Sequence, residues 1–162
     1  MLFDSFRRNY GMSLSIQDLD LSNNKLSRIG SEWLGGWLNM IREKTHLQHL
    51  YLSSTHLDFS SIGRFMVHLK RIVTLDLSHN RLDEASCQLL TLVIESTQNL
   101  RNLNLSGCGI TSEYAGKILQ TILSNPFVAD VKVSPTPLSF FFSLSLVLSL
   151  ELSLSLLQMM NE

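Results

Sequence analysis

Cysteine occurs only twice in the 162 residues, as Cys87 and Cys108. That is too few for the disulfide framework of a small secreted domain, and it fits a reducing intracellular compartment. Charge is sparse too, at 17% of residues, below the usual quarter. Lysine and arginine total 13 against 14 acidic residues and never form a run. Nucleic-acid binding needs a basic stripe to displace counterions; a formal net charge of −1 without such a stripe argues against nucleic acid as a partner. The opening MLFDSFRRNYGMS has no apolar stretch of signal-peptide length, and Arg7 and Arg8 follow its hydrophobic residues instead of preceding them. Entry into the secretory pathway is therefore not expected from this end. Catalytic groupings are lacking as well. His46 and His49 are spaced like a possible ligand pair, with His56 nearby, yet no cysteine or carboxylate at ligand spacing completes a zinc site. Gly107 and Gly109 lie in a polar turn and not in a phosphate-binding loop between a strand and a helix. The expectation is no enzyme, no metal and no cofactor.

What the sequence does contain is a phrase written four times. Leu-x-Leu-Ser stands within IQDLDLSNNKL, LQHLYLSSTHL, IVTLDLSHNRL and LRNLNLSGCGI, which begin at Ile16, Leu47, Ile72 and Leu100. With VADVKV opening a fifth copy at Val128, the steps are 31, 25, 28 and 28 residues. The pattern L-x-x-L-x-L-x-x-N/C-x-L is the leucine-rich repeat signature, and repetition at such a period marks a solenoid. The second copy misses it at one position, where Thr55 takes the Asn/Cys slot.

Within each copy the leucines alternate with polar residues, the signature of a strand with one buried face. Leu19 and Leu21, Leu50 and Leu52, Leu75 and Leu77, and Leu103 and Leu105 are thus expected to point inward. At the corner after each strand, a side-chain amide can satisfy backbone groups that the sheet leaves behind. Asn24 and Asn80 fill that place, Thr55 does so in part and Cys108 weakly, so the second repeat is expected to be the least regular. Helical spacing then follows: Trp33, Leu34, Trp37, Leu38 and Ile41; Ile62, Phe65, Met66 and Leu69; Leu90, Val93 and Ile94; Ala115, Ile118, Leu119 and Ile122. Asp83 and Glu84 open the third helix, and Thr111, Ser112 and Glu113 the fourth, as good cap and first-turn residues. The fold class is an α/β leucine-rich repeat horseshoe, with parallel strands on the concave face and helices on the convex face.

Three segments are expected. Residues 1–15, with Leu2, Phe3 and Phe6, read as the helical remnant of a preceding repeat. Residues 16–133 carry four complete repeats and a truncated fifth, supplying Val128, Val131 and Val133. Residues 134–162 form a low-complexity Ser/Leu/Phe tail. Its stretch 138–157 holds 13 apolar residues, six serines and Glu151, long enough for a membrane span. Alternating Ser and Leu also fits an amphipathic strand, though one of improbable length. A repeated TC dinucleotide read in frame gives the same Ser-Leu alternation, and the abrupt switch inside a repeat favours mis-spliced or frameshifted sequence. On that reading the chain is part of a longer repeat protein.

Outward strand positions predict three rows across the concave face: Asp18, His49, Thr74 and Asn102; Asp20, Tyr51, Asp76 and Asn104; and Ser22, Ser53, Ser78 and Ser106. Serines recurring at every turn are not catalytic; they are structural or small contact points. The rows are polar and mildly acidic with one aromatic anchor, Tyr51, which suits another protein as partner, one with basic residues. The alternative for any one residue is that it merely spaces a binding site located elsewhere.

Residues 16–133 resemble the ribonuclease-inhibitor-like leucine-rich repeat superfamily. The uneven repeat lengths and the phrases VTLDLSHNRLDEASCQLL and LRNLNLSGCGITSEYAGKIL are most similar to repeats of the CARMIL proteins. That resemblance implies a protein-interaction scaffold in the regulation of actin filament assembly, cytoplasmic and extending to the plasma-membrane periphery. Membrane association would come only through the parent protein or the 138–157 tail. In CARMIL proteins a separate disordered segment binds capping protein, and no residue of it is present here. Two other members of the superfamily imply different roles: an intracellular immune receptor would use such repeats to sense a ligand, and a Ran-type GTPase-activating protein would need an arginine on a turn beside the concave rim, for which Arg28 is the loose candidate.

Overall fold

A computed structural model describes residues 15–41 and 44–133. The helical remnant expected over residues 1–15, Ser15 apart, and the tail 134–162 lie outside the described residues.

Five three-residue strands, β1 (Asp18–Asp20), β2 (His49–Tyr51), β3 (Thr74–Asp76), β4 (Asn102–Asn104) and β5 (Asp130–Lys132), form one parallel sheet in sequence order. The central residue of each strand stacks on the next, Leu19 on Leu50, Leu50 on Leu75, Leu75 on Leu103 and Leu103 on Val131. Alternation explains the orientation: with side chains pointing to opposite faces in turn, one leucine per strand enters the core and its two neighbours face outward. Leu50 and Leu75 are fully buried, as are Leu52, Leu77 and Leu105 just beyond the strands. Truncating such a leucine to alanine costs about 2–5 kcal/mol.

Four helices return the chain to the starting edge: α1 (Ser27–Ile41), α2 (Phe59–Met66), α3 (Glu84–Ser96) and α4 (Ser112–Ser124). Leu34, Trp37, Leu38 and Ile41 of α1 are buried, with Leu90, Val93 and Ile94 of α3 and Ala115, Ile118, Leu119 and Ile122 of α4. Trp33 departs from its expected burial and is 47% exposed. Helix geometry gives the reason. Gly35 abuts α2, where an added Cβ would come within 2.7 Å of the Ser61 carbonyl; Trp33 lies about 200° around the helix from it, turned away from both α2 and the sheet. The strand register runs through the second repeat unbroken. Its main departure is in the helix, which has 8 residues against 13 to 15 in the others. Phe65 is accordingly half-buried, and Leu69 is buried beyond the end of the helix.

Corner chemistry differs from repeat to repeat. Asn80, 1% exposed, donates from Nδ2 to the carbonyls of Leu52, Leu77 and Ser78, while its Oδ1 accepts from the Thr55 and Leu57 amides. It thereby joins the second repeat to the third. Asn24 is exposed and donates to the carbonyls of Leu21 and Ser22, within its own repeat. The Thr55 hydroxyl donates to the Leu52 carbonyl at 2.9 Å and lies 3.1 Å from Asn80 Oδ1. Cys108 Sγ reaches the Leu77 carbonyl at 3.2 Å. The residue after each repeated serine, namely Asn23, Ser54, His79 or Gly107, has a left-handed backbone with φ between 55° and 68°. Glycine is needed most at Gly107, because an added Cβ would stand 2.6 Å from His79 Nδ1.

A candidate protein-docking concave face

The predicted rows exist as lines of directly paired residues. Asp18, His49, Thr74 and Asn102 stand side by side across β1 to β4, as do Asp20, Tyr51, Asp76 and Asn104. The fifth strand extends them: Asp130 follows Asn102, and Lys132 follows Asn104. Asp130 and Lys132 are not among the residues the sequence predicts for the rows, because the truncated fifth repeat is recognisable there only through its valines. Counting outward positions from Val131 by the same alternation would have found both.

Hydrogen bonds tie the rows sideways. His49 Nδ1 lies 2.9 Å from Thr74 Oγ1, which accepts from Asn102 Nδ2 at 3.1 Å. One row over, Asp76 Oδ2 accepts from Asn104 Nδ2 at 3.0 Å, and Asp76 Oδ1 accepts from the Ser78 amide at 2.8 Å. The Asp20 and Asn104 side chains accept from the amides of Ser22 and Ser106 in the same way. The Ser22 amide bond is the main reason the Asp20 carboxyl is held below its ordinary pKa. Such self-bonded rows hold their side chains in place before any partner arrives, which lowers the ordering cost of binding. Asp18, Asp20, Asn102, Asp130 and Lys132 are exposed; His49, Tyr51, Thr74, Asp76 and Asn104 are half-buried. Tyr51, Asp76, Asn102, Asn104, Asp130 and Lys132 line a shallow depression of about 110 Å³ in the middle of the face.

The serine row is in part structural, one of the two roles expected of it. Ser78 is 4% exposed, and its hydroxyl donates to Asp76 Oδ1 and lies 2.9 Å from Ser53 Oγ. Ser22 Oγ accepts from the Ser53 amide at 3.2 Å. At the end of the strand the chain is already curling into its corner, so these hydroxyls are drawn into the turn. Ser22, Ser53 and Ser106 remain half-buried at its rim.

The residues raised for other chemistry are dispersed. Arg28 sits in the first turn of α1, paired with Glu32 at 3.0 Å, and so is on a helix instead of the rim turn that a catalytic arginine would need. Among the described residues no group of three His, Cys, Asp or Glu side chains could hold a metal ion. Burial pushes the Cys108 thiol up to about 12 and the Cys87 thiol up to about 11, far from the range of a nucleophile. Among the described residues no helix is long and apolar enough to cross a membrane.

Comparison with known proteins agrees with this architecture. Two families, described as "Leucine Rich Repeat" and "Leucine Rich repeat", match residues 15–37 and 97–113. The chain is 28% identical over 129 residues to Protein CARMIL of Dictyostelium discoideum, a match covering 79% of this chain and 12% of that protein. It is 33% identical over 99 residues to Protein PAC2 of Saccharomyces cerevisiae, covering 60% of this chain and 17% of that one. The chain thus spans less than a fifth of the length of either relative. In fold it is similar to the tropomodulin C-terminal domain of Caenorhabditis elegans, with a TM-score of 0.67, 14% identity and full coverage of both chains. It is likewise similar to leiomodin-1 actin-binding site 2, with a TM-score of 0.70, 15% identity and coverage of 100% and 96%. Strands stacked in sequence order, helices returning behind them and matched repeat signatures over residues 15–37 and 97–113 lead to one conclusion: the chain has a leucine-rich repeat fold and is similar in sequence to CARMIL.

Proposed function

We propose that the chain is a protein-interaction scaffold of CARMIL-like kind, acting in the regulation of actin filament assembly. The observation that carries this is the concave face itself. Its paired rows are joined in part by lateral hydrogen bonds, from His49 through Thr74 to Asn102 and from Asp76 to Asn104, and offer Asp18, Asp20, Asp76 and Asp130 beside the half-buried Tyr51, with Lys132 as the single lysine or arginine in the two rows. An aromatic anchor within carboxylates suits a protein segment carrying basic side chains, since complementary charge steers encounter and an aromatic supplies area at little entropic cost. The 129-residue likeness to CARMIL supports the link to actin. The role is binding and not catalysis, because Asp76, the acid at the middle of the face, is occupied by a turn amide and by the neighbouring Asn104 side chain. Its place is the cytoplasm, in the actin layer at the plasma-membrane periphery.

Immobilised full-length chain, incubated with cytosolic extract and with purified actin, tests the reading. Retention of actin or an actin-associated protein is expected, weakened about tenfold or more in the double variant Tyr51→Ala, Asp76→Ala. Retention of the same partners by the variant at unchanged level would sink the concave-face proposal. Partners unconnected with actin would sink the actin link alone.

A further inference from the structure

The corner of the coil carries a row of its own. In each repeat, the second residue before the apolar residue that closes the signature is the Asn, Thr or Cys of the corner, and the residue following it faces out: Lys25, His56, Arg81 and Gly109 in successive repeats. Lys25, His56 and Arg81 are all exposed. Because parallel strands lie about 4.8 Å apart, the register that stacks Asp20, Tyr51, Asp76 and Asn104 also carries these three basic side chains along one edge. Where the row reaches Gly109 it ends in open space, for a Cβ there would meet nothing within 4 Å.

Between the turns lies a recess of about 430 Å³ lined by His56, His79, Arg81, Gly107 and Gly109, with buried Leu57 and Cys108 also in its wall. His79 rests against Gly107, whose missing side chain leaves room for the imidazole. Three nitrogen-rich side chains thus line one recess, and Gly109 leaves its end of it uncovered. Two acids stand at nearby helix starts, and both are occupied: Asp58 by the hydroxyls of Ser60 and Ser61, Asp83 by the Ser86 amide.

We propose that this corner recess binds a phosphate monoester carried on a serine or threonine of a partner protein. Arg81 supplies the planar donor pair that matches phosphate oxygens, and His56 and His79 donate from the flanks. A single phosphate fits the notch better than a membrane does. Anionic bilayers are recognised by clusters of four to eight basic residues, whereas this edge presents three in line with Asp58 and Asp83 nearby. The site is separate from the concave rows, so its fate does not depend on the actin reading.

The test uses the full chain, isotopically labelled, titrated with acetyl-phosphoserine amide, with its unphosphorylated counterpart and with inorganic phosphate, alongside sedimentation with phosphatidylserine-containing vesicles. Saturable movement of the His56, His79 and Arg81 signals by the two phosphates is expected, with no response to the unphosphorylated compound. Arg81→Gln should weaken binding about tenfold or more. His79→Asn should weaken it roughly threefold and keep the native spectrum, since Asn23 holds the same left-handed backbone in the first repeat. The proposal is overturned if the shifts do not saturate, if the unphosphorylated compound binds equally, if Arg81→Gln binds unchanged, or if vesicles are captured while acetyl-phosphoserine amide is not.

Discussion

At the corner of the third repeat Asn80 bonds to three carbonyls and two amides drawn from two repeats; at the same corner of the fourth, Cys108 makes one contact of ordinary length, to the Leu77 carbonyl. Both side chains are buried and both lie behind the same leucine column. The difference lies in reach and valence. A planar amide offers two donors and an acceptor, so it can serve its own turn and its neighbour's together, while a thiol is one weak donor. Where the amide is absent, the backbone compensates: His56 and Gly109, which follow Thr55 and Cys108, adopt a second left-handed conformation with φ of 52° and 65°. After Asn24 and Asn80, Lys25 and Arg81 do not. One corner is held by a side chain and the other by the shape of the main chain.

That contrast can be broken at either end. Asn80→Ala strands the buried Thr55 and Leu57 amides at once and should lower unfolding free energy by about 3 kcal/mol, read from urea denaturation. Gly107→Ala forces a methyl group towards His79 at positive φ and should cost about 1–2 kcal/mol by the same measurement. Cys108→Ala removes one weak donor and little volume, and a loss of about 1 kcal/mol is expected. A Cys108 variant as damaging as Asn80→Ala would overturn the comparison.

The helix starts sharpen the point on a smaller scale. Asp83 caps α3 by accepting from the Ser86 amide at 2.9 Å, whereas Thr111 precedes α4 without a side-chain cap bond. Asp83→Ala should cost about 1 kcal/mol at neutral pH and Thr111→Ala a few tenths. The Ser86 hydroxyl, and then its amide, hold the Asp83 carboxyl below its ordinary pKa. A carboxyl depressed in the folded state contributes its full stability above the unfolded value and loses it as pH falls through the folded one. The gap between wild type and Asp83→Ala should therefore narrow below about pH 4, as thermal melts across that range would record.

Most of this fold is legible in the sequence because one rule is written five times. The leucines fix which strand residues enter the core, and that alone sets the register joining Asp20, Tyr51 and Asp76. Helical spacing is less decisive. It places Leu34, Leu38 and Ile41 inside, but it does not say which flank of the stripe the next helix covers, and Trp33 lies on the other flank. The serine row is only partly legible for a related reason: alternation assigns it to the concave face, yet the chain leaves strand geometry there, and Ser78 turns under Asp76. Asp130 and Lys132 were readable in principle, since Val131 occupies the leucine position of their strand. The corner row is not legible from the repeat signature, because that signature is defined by the Asn/Cys position and Lys25, His56 and Arg81 occupy the position beside it.

Among the described residues, each strand pairs only with the one before and the one after it in sequence. No strand has to find a partner more than about one repeat away, the arrangement that favours rapid assembly from any starting point. The same ordering places the joints in series. Tension applied along the coil would pass through every joint equally, so its strength as a strut is that of its poorest joint, and the one spanned by Asn80 would be among the last to open.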